Sequence, residues 1–175
     1  MQKSEIMKRA EQFCIKHDIM QYPVKIVELC RAEGISVFEE YLPRDVSGFI
    51  VIQEEEFENY GTGRLIVINL ADSARRRRFT IAHELAHYIL HRDESQPYYA
   101  HRDAGQNGGI EREANIFAGS ILMPKHLVAS ALDDMSGTVF GDALPFMKIN
   151  HIAKEFAVSK DAAQVRLDQL SLLRG

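Results

Sequence analysis

The sequence predicts an α+β fold in which helices surround one small antiparallel sheet. Three consecutive segments, "ISVFEEYLP", "SGFIVIQ" and "GRLIVINL", are rich in β-branched residues and bounded by Gly, Pro or Asn, which is typical of strands. The segments before and after them repeat apolar residues at helical spacing. With 175 residues, of which 46% are hydrophobic, the chain can bury one core and carry a small appendage.

Two helices are predicted before the sheet. The first covers residues 4–17 and the second residues 24–32, each with an apolar face, and Gly34 follows as the stop signal. The polar stretch "EEEFENYGTG" then separates the second and third strands and predicts a hairpin. The order of elements therefore begins with two helices and three strands.

Four helices are predicted after the sheet. Asp72 or Ser73 caps a long helix that runs to about His91. The polar, Gly-rich segment "RDESQPYYAHRDAGQNGG" follows and is typical of a loop that borders an active site. The helix "IEREANIFAGSILM" ends at Pro124, and the tail contains two short helices, "KINHIAKEF" and "KDAAQVRLDQLSLL".

Composition excludes several classes of protein. The longest apolar runs are too short to cross a bilayer, and the N-terminus lacks the apolar centre of a signal peptide, so we expect a cytoplasmic protein with no membrane partner. A net charge of −4 gives no electrostatic reason for the whole chain to bind nucleic acid. The only cysteines, Cys14 and Cys30, are far apart and predict core residues rather than a disulfide framework or a thiolate zinc site.

The stretch "RRRRFTIAHELAHYILH" contains the motif HExxH on the long helix. Apolar residues fill more than half of the helix circumference, so burying His83, Glu84 and His87 would be costly without a metal, a water or partners. His83 and His87 are four residues apart and can close on one tetrahedral zinc ion, with Glu84 facing its water. The alternative is a chance motif whose histidines are satisfied by hydrogen bonds, which the apolar surroundings disfavour.

A catalytic zinc ion usually takes three protein ligands, and four residues compete for the third position. His91 lies about 12 Å from His83 along the axis at 1.5 Å per residue, too far to share one metal. His101 lies in the polar loop, where solvation explains it. Glu111 and Glu113 both border the apolar face of their helix, and the periodicity does not choose between them.

The motif "RFTIAHELAHYILH", followed by "EREANIFAGSILMP", resembles the ImmA/IrrE family of metallopeptidases. The resemblance runs from about residue 24 to Pro124 and includes the strands before the helix, and the tail pattern also recurs in the family. It implies a zincin-like core in which a glutamate-bearing helix packs against the HExxH helix. It also implies Glu113, in the "EAN" element, as the third zinc ligand. Ala86 replaces the glycine of "HELGH", a small change.

The resemblance implies a cytoplasmic zinc endopeptidase. Zinc bound by His83, His87 and Glu113 would activate a water molecule, and Glu84 would pass the water's proton to the leaving amine. The implied protein substrate is a helix-turn-helix repressor, whose cleavage derepresses genes of a mobile element, prophage or stress response. The oxyanion-stabilising residue stays open among the loop side chains Tyr98, Tyr99 and His101.

The alternative function is a non-proteolytic zinc-binding regulator that binds DNA or a protein partner through its tail. Glu84 argues against it, because such a role needs no general base. A closed structural zinc site is weaker still, since it would normally supply four ligands.

Arg75 to Arg78 place four positive charges in the first turn of the long helix, where cations are disfavoured. We favour a structural explanation, with acidic partners such as the "QEEEFE" hairpin, over a patch for substrate or nucleic acid.

The tail resembles a helix-turn-helix unit and divides the chain into a metallopeptidase domain, residues 1–135, and a helical unit packed on it, residues 136–175. The second tail helix is predicted to pack through Ala162, Val165, Leu167 and Leu170. Its predicted exposed charges, with those of the preceding helix, are three positive and three negative: Lys154, Glu155, Lys160, Asp161, Arg166 and Asp168. This balance disfavours DNA binding and favours a structural or protein-docking role.

Overall fold

The computed structural model describes residues 1–92, 108–136 and 144–173, together with the backbone of residues 98–100. The α+β prediction is confirmed within these residues. The helices are α1 (Lys3–Lys16), α2 (Ile26–Ala32), α3 (Ala74–His91), α4 (Gly108–Leu122), α5 (Lys125–Ser136), α6 (Pro145–Glu155) and α7 (Lys160–Gln169). The strands are β1 (Ser36–Glu40), β2 (Gly48–Phe57), β3 (Thr62–Asn69) and β4 (Tyr98–Ala100).

The sheet is mixed, so the prediction of a purely antiparallel sheet was wrong. The strand order is β1-β3-β2-β4. β2 pairs antiparallel with both β3 and β4, whereas β1 pairs parallel with β3. β1 runs opposite to β2 but lies on the far side of β3, because residues 41–47 carry the chain across the end of that strand.

Asn69, at the end of β3, holds this crossing loop in place. Its side chain is 3% exposed, and its Nδ2 group donates to the carbonyl oxygens of Leu42, Pro43 and Val46 at 2.9 to 3.2 Å. Its Oδ1 atom accepts from the backbone N–H of Ala71 at 3.0 Å. One amide therefore gives three carbonyl groups of the crossing loop a hydrogen-bond partner.

We expect Asn69→Ala to lower the free energy of unfolding by about 2 to 3 kcal/mol, because several partly buried backbone groups lose their partner at once. Urea denaturation measures the change. Asn150→Ala is the matched control, since Asn150 is exposed on α6 and its loss should change stability by less than about 0.5 kcal/mol. Equal denaturation midpoints for the two variants would contradict the anchoring role.

α3 is the central helix, and it packs on one side against β2 and β3 and on another against α4. Gly48 lets β2 approach α3 closely, since a Cβ atom at residue 48 would lie 2.7 Å from Thr80 Cγ2. α4 in turn lies between α3 and α1. Small buried side chains, four residues apart on each helix, line α3 and α4 and permit close packing: Ala82, Ala86, Ala114 and Ala118.

The arginine run at the start of α3 has mostly structural partners. Ser73 caps the helix, accepting from the N–H of Arg76. Arg76 pairs with Asp72 at 3.1 Å, and Arg77 pairs with Glu39 at 3.2 Å. The acidic partners are therefore Asp72 and a β1 residue instead of the predicted hairpin.

α5 has no counterpart among the predicted elements. Pro124 ends α4 as expected, but its carbonyl oxygen also accepts from the N–H of Val128 at 2.9 Å and so begins the next helix. Proline is tolerated at a helix start because the N–H it lacks would have no partner there. A single proline thus both ends one helix and begins another.

Ile152 of α6, Phe156 directly after α6 and Leu167 of α7 belong to the main hydrophobic core. Two predictions about α7 were wrong: Val165 is 56% exposed, and Arg166 is 4% exposed. Arg166 is buried because its guanidinium donates to Met123 O and Ser120 Oγ, both at 2.9 Å. These bonds satisfy polar atoms at the end of α4, and burial lowers the pKa of Arg166 to about 10.

Other sequence expectations concern burial and boundaries. Cys14 and Cys30 are buried, as predicted, and burial raises the pKa of their thiols to about 11 and about 12. The predicted domain boundary at residues 135–136 falls at the end of α5, and residues 137–143 lie outside the described residues. No helix in the described parts of the chain is both long and apolar enough to cross a membrane.

Candidate metal centre

Two histidines of α3 and one glutamate of α4 converge at the packed face between these helices. The Nε2 atoms of His83 and His87 are 3.0 Å apart. Glu111 Oε2 lies 3.2 Å from His83 Nε2, and Glu111 Oε1 lies 3.1 Å from His87 Nε2. Candidate ligand atoms of all three residues lie within 4.8 Å of one another. This group could hold a metal ion.

The burial of the group is uneven. His83 is 0% and His87 4% exposed, whereas the Glu111 side chain is 37% exposed. The imidazoles are therefore enclosed by the core, and the group opens to solvent on the side of α4. A site with buried ligands and one open side allows a substrate to approach.

Asn115 orients His83 by contacting the ring nitrogen that does not point to His87 and Glu111. Its Oδ1 atom lies 3.0 Å from Nδ1 of His83 and accepts a hydrogen bond when that nitrogen carries the proton. This tautomer leaves the lone pair of Nε2 directed towards His87 and Glu111. Asn115 is four residues after Glu111, so one face of α4 supplies both a candidate ligand and the partner that holds another in position.

His91 and Glu113 form a similar chain behind the second histidine. His91 Nδ1 lies 3.3 Å from His87 Nδ1, and His91 Nε2 lies 3.1 Å from Glu113 Oε2. The amino group of Met1 also donates to Glu113. The hydrogen bond from Met1, and then that from His91, lower the pKa of the Glu113 carboxyl.

The resemblance implies Glu113 as the third ligand, but the structure places Glu111 at the histidine pair. Residues two apart on an α-helix project about 200° apart, so the two carboxylates point to different places. Glu111 meets His83 and His87, and Glu113 meets His91. The periodicity does not choose between Glu111 and Glu113. In this structure the rotation of α4 about its own axis places Glu111 at the histidine pair.

The electrostatic surroundings favour a neutral form of His87. Burial, followed by the proximity of His83, lowers its pKa to about 4, although Glu111 acts in the opposite direction. A neutral imidazole has a free lone pair at neutral pH, which is the form that binds divalent metals.

Glu84 lies beside His83 on α3 and is 3% exposed. The motif thus brings an acidic side chain into the buried surroundings of the candidate ligands. The three candidates for oxyanion stabilisation are not described: His101 lies outside the described residues, and only the backbone of Tyr98 and Tyr99 is given.

Sequence reasoning missed Asn115, although a signal existed. In "EREAN", the asparagine follows Glu111 by four residues, the spacing that places two side chains on one helix face. A polar residue at that offset from a candidate ligand is a candidate partner for a metal-binding histidine.

We expect Asn115→Ala to weaken zinc binding about 10- to 100-fold, because His83 loses the partner that fixes its tautomer and ring orientation. Competition with a zinc-binding dye measures the affinity. Asn115→Asp keeps an oxygen acceptor at the same place and should bind zinc about as tightly as the wild type. Unchanged affinity in the alanine variant would show that the hydrogen bond does not orient the ligand.

Comparisons with known proteins agree with the motifs. The chain is 34% identical over 108 residues to the radiation response metalloprotease IrrE of Deinococcus radiodurans, an alignment that covers 60% of this chain and 31% of that protein. The chain thus spans less than a third of the length of this curated relative. The family model of the IrrE N-terminal-like domain, in peptidase family M78, matches residues 30–168, a range that includes β1 to β3, the candidate metal centre and most of α7. The chain therefore belongs to the family of IrrE N-terminal-like peptidase domains.

Proposed function

We propose that this protein is a metal-dependent endopeptidase that uses zinc. The observation that carries the proposal is the convergence of His83, His87 and Glu111, with the buried Glu84 next to the first histidine. Two imidazoles and one carboxylate form a ligand set of catalytic zinc sites, which keep one position open for water or substrate. Membership of a peptidase family supports the same function.

The side chains present fit a zinc ion chemically. Nε2 of His83 and of His87 and one Glu111 oxygen would bind it, and the low pKa of His87 keeps that ligand neutral at physiological pH. Asn115 and His91 occupy the outer nitrogens of the two histidines, as the partners of zinc-binding histidines generally do.

The proposed mechanism assigns a task to each residue. A zinc ion held by His83, His87 and Glu111 would act as a Lewis acid that polarises the scissile carbonyl and activates a water molecule. Glu84 takes the proton of the attacking water at its carboxylate and delivers it to the nitrogen of the leaving amine. His83 and His87 keep their positions because Asn115 and His91 hold the opposite edges of their rings.

The proposed substrate is a helix-turn-helix repressor in the cytoplasm. The support is the resemblance of both motifs to the ImmA/IrrE family, together with family membership. The relative in Deinococcus radiodurans is a radiation response metalloprotease by name, which is compatible with cleavage of a regulatory protein. The proposal for this chain is that cutting such a repressor derepresses its target genes.

The balanced charge count of the tail already disfavours DNA binding, and the burial of one of its cations disfavours it further. Arg166 is buried in the core, so Lys154 and Lys160 are the remaining cations among the predicted charges of α6 and α7. Glu155, Asp161 and Asp168 belong to the same two helices and outnumber these cations. Phosphate binding needs an excess of positive charge, which these residues do not supply.

Mapping of new protein N-termini tests the proposal. Cells that express the wild type are compared with cells that express Glu84→Gln, after both proteins have been shown to bind equal zinc. We expect one repressor-like protein to be cut in the wild-type cells alone. If the two maps agree under inducing and non-inducing conditions while zinc is bound, the peptidase function is wrong.

A further inference from the structure

A cleft of about 640 Å³ begins at the candidate metal centre and runs between α4 and α7. Glu111 and Asn115, from the α4 side of the metal centre, are among its lining residues. Since the Glu111 side chain is the exposed member of the candidate ligand set, the cleft lies on the open side of the metal centre. A substrate bound at the metal would therefore enter it.

Part of the cleft lining is apolar, although Lys3, Arg112, Asp161 and Arg166 also line it. Its lining includes Phe79 from α3, Ile116 from α4 and Val165 from α7. Val165 is 56% exposed, although a valine on a helix that packs against the core is usually buried. These side chains form a surface that fits an apolar side chain of a bound peptide.

A second cleft, of about 670 Å³, continues from the first, with which it shares Phe79 and Ser159. Arg75, Arg76 and Lys160 line it, and none of the described side chains in its lining is a carboxylate. Asp72 neutralises part of the charge by pairing with Arg76. Arg75 from α3 and Lys160 from α7, both exposed, add positive charge to the lining.

The spacing of residues along α3 gives the distance between these sections of the cleft. Arg75, Phe79 and His83 are spaced by four residues and lie along one face of the helix, so successive members are about 6 Å apart at 1.5 Å per residue. An extended peptide advances about 3.3 Å per residue. Each section of the cleft is thus about two peptide residues from the next.

We propose that the cleft binds the substrate as an extended peptide with an apolar residue next to the scissile bond and an acidic residue about two positions further on. The apolar side chain contacts Phe79 and Val165, and the acidic side chain contacts Arg75 and Lys160. This inference rests on the proposed peptidase function and defines the substrate class of the same site.

Cleavage of a synthetic peptide library by the zinc-loaded wild type is the first part of the test. We expect cut sites to be enriched in an apolar residue followed at that distance by Asp or Glu. The double variant Arg75→Glu/Lys160→Glu should cleave acidic peptides about tenfold more slowly and lose the enrichment. Its matched control is Lys8→Glu/Lys154→Glu, which changes the charge equally at exposed positions outside both clefts.

Peptide binding to zinc-loaded Glu84→Gln is the second part and needs no turnover. Fluorescence anisotropy compares two labelled peptides that differ only in Glu or Lys at the acidic position. We expect the Glu peptide to bind more tightly, and Val165→Asp to weaken its binding because a charge then replaces the apolar contact.

The two parts separate failure of the inference from failure of the proposed function. Cleavage without acidic preference, unchanged in the charge-reversed variant, overturns the inference and leaves the peptidase function standing. Preferred binding of the Glu peptide without any cleavage by the wild type supports the cleft and overturns the peptidase function. If charge reversal lowers affinity for a DNA duplex and leaves affinity for the Glu peptide unchanged, the basic section binds nucleic acid and the inference is wrong.

Discussion

Replacing Glu84 by glutamine should lower kcat for peptide cleavage by about 10³-fold while the protein keeps its full complement of zinc. Glutamine has nearly the shape of glutamate, so the buried position next to His83 is filled and the fold is retained. In the proposed mechanism, what is lost is the carboxylate that accepts the proton of the attacking water. Because that task belongs to the transition state, kcat should fall far more than KM changes.

Three measurements on the purified proteins check this result: kcat, zinc content and the urea denaturation midpoint. Glu40→Gln is the matched control, since Glu40 is exposed at the end of β1, and it should behave as the wild type. A zinc-loaded Glu84→Gln variant with more than about a tenth of wild-type kcat would contradict a general-base role, because such a small loss is below the usual contribution of that catalysis.

Local features of the fold were predictable because they depend on local sequence. Apolar periodicity and a capping residue predict the HExxH helix, and α3 has both. The strand segments were recognised from β-branched residues, and β2 and β3 form the predicted hairpin. The parallel pairing of β1 was not predictable in this way, since it depends on a crossing loop held by Asn69 from a distant part of the chain.

Side-chain direction on a helix shows the same limit. Residue type alone predicts Val165 in the core and Arg166 at the surface, and the structure reverses both. The reason is tertiary: polar atoms of Ser120 and Met123 at the end of α4 bind the guanidinium and turn that face of α7 inwards. The buried residues Ala163, Arg166 and Leu167 share one face of α7 at helical spacing, so periodicity, unlike residue type, agrees with the burial of Arg166.

The candidate metal centre contains three residues that the local sequence predicts and one whose position depends on tertiary packing. His83, Glu84 and His87 follow from one local motif, and the structure places them together in the buried part of α3. The glutamate comes from another helix, whose broad apolar face leaves its rotation undetermined. The packing of α4 against α3 and α1 sets that rotation, and the structure places Glu111 at the histidines.

Glu111→Ala and Glu113→Ala should therefore differ strongly in zinc affinity. Loss of Glu111 removes a candidate ligand and leaves two histidines, so the affinity should fall by more than about 100-fold, beyond the usual effect of residues outside the ligand set. Loss of Glu113 removes the partner of His91, which contacts His87 in turn, and should cost about tenfold or less. Peptide cleavage at limiting zinc should follow the same order.

Zinc titration of the two variants, with Glu113→Gln as the conservative control, decides between the two candidate ligand sets. Glutamine still offers His91 an oxygen acceptor, so this control should bind zinc nearly as well as the wild type if Glu113 acts only through His91. The opposite order, with Glu113→Ala losing zinc and Glu111→Ala retaining it, would favour the ligand implied by the family resemblance. It would also require α4 to turn about its axis when the metal binds, because the present rotation directs Glu113 to His91.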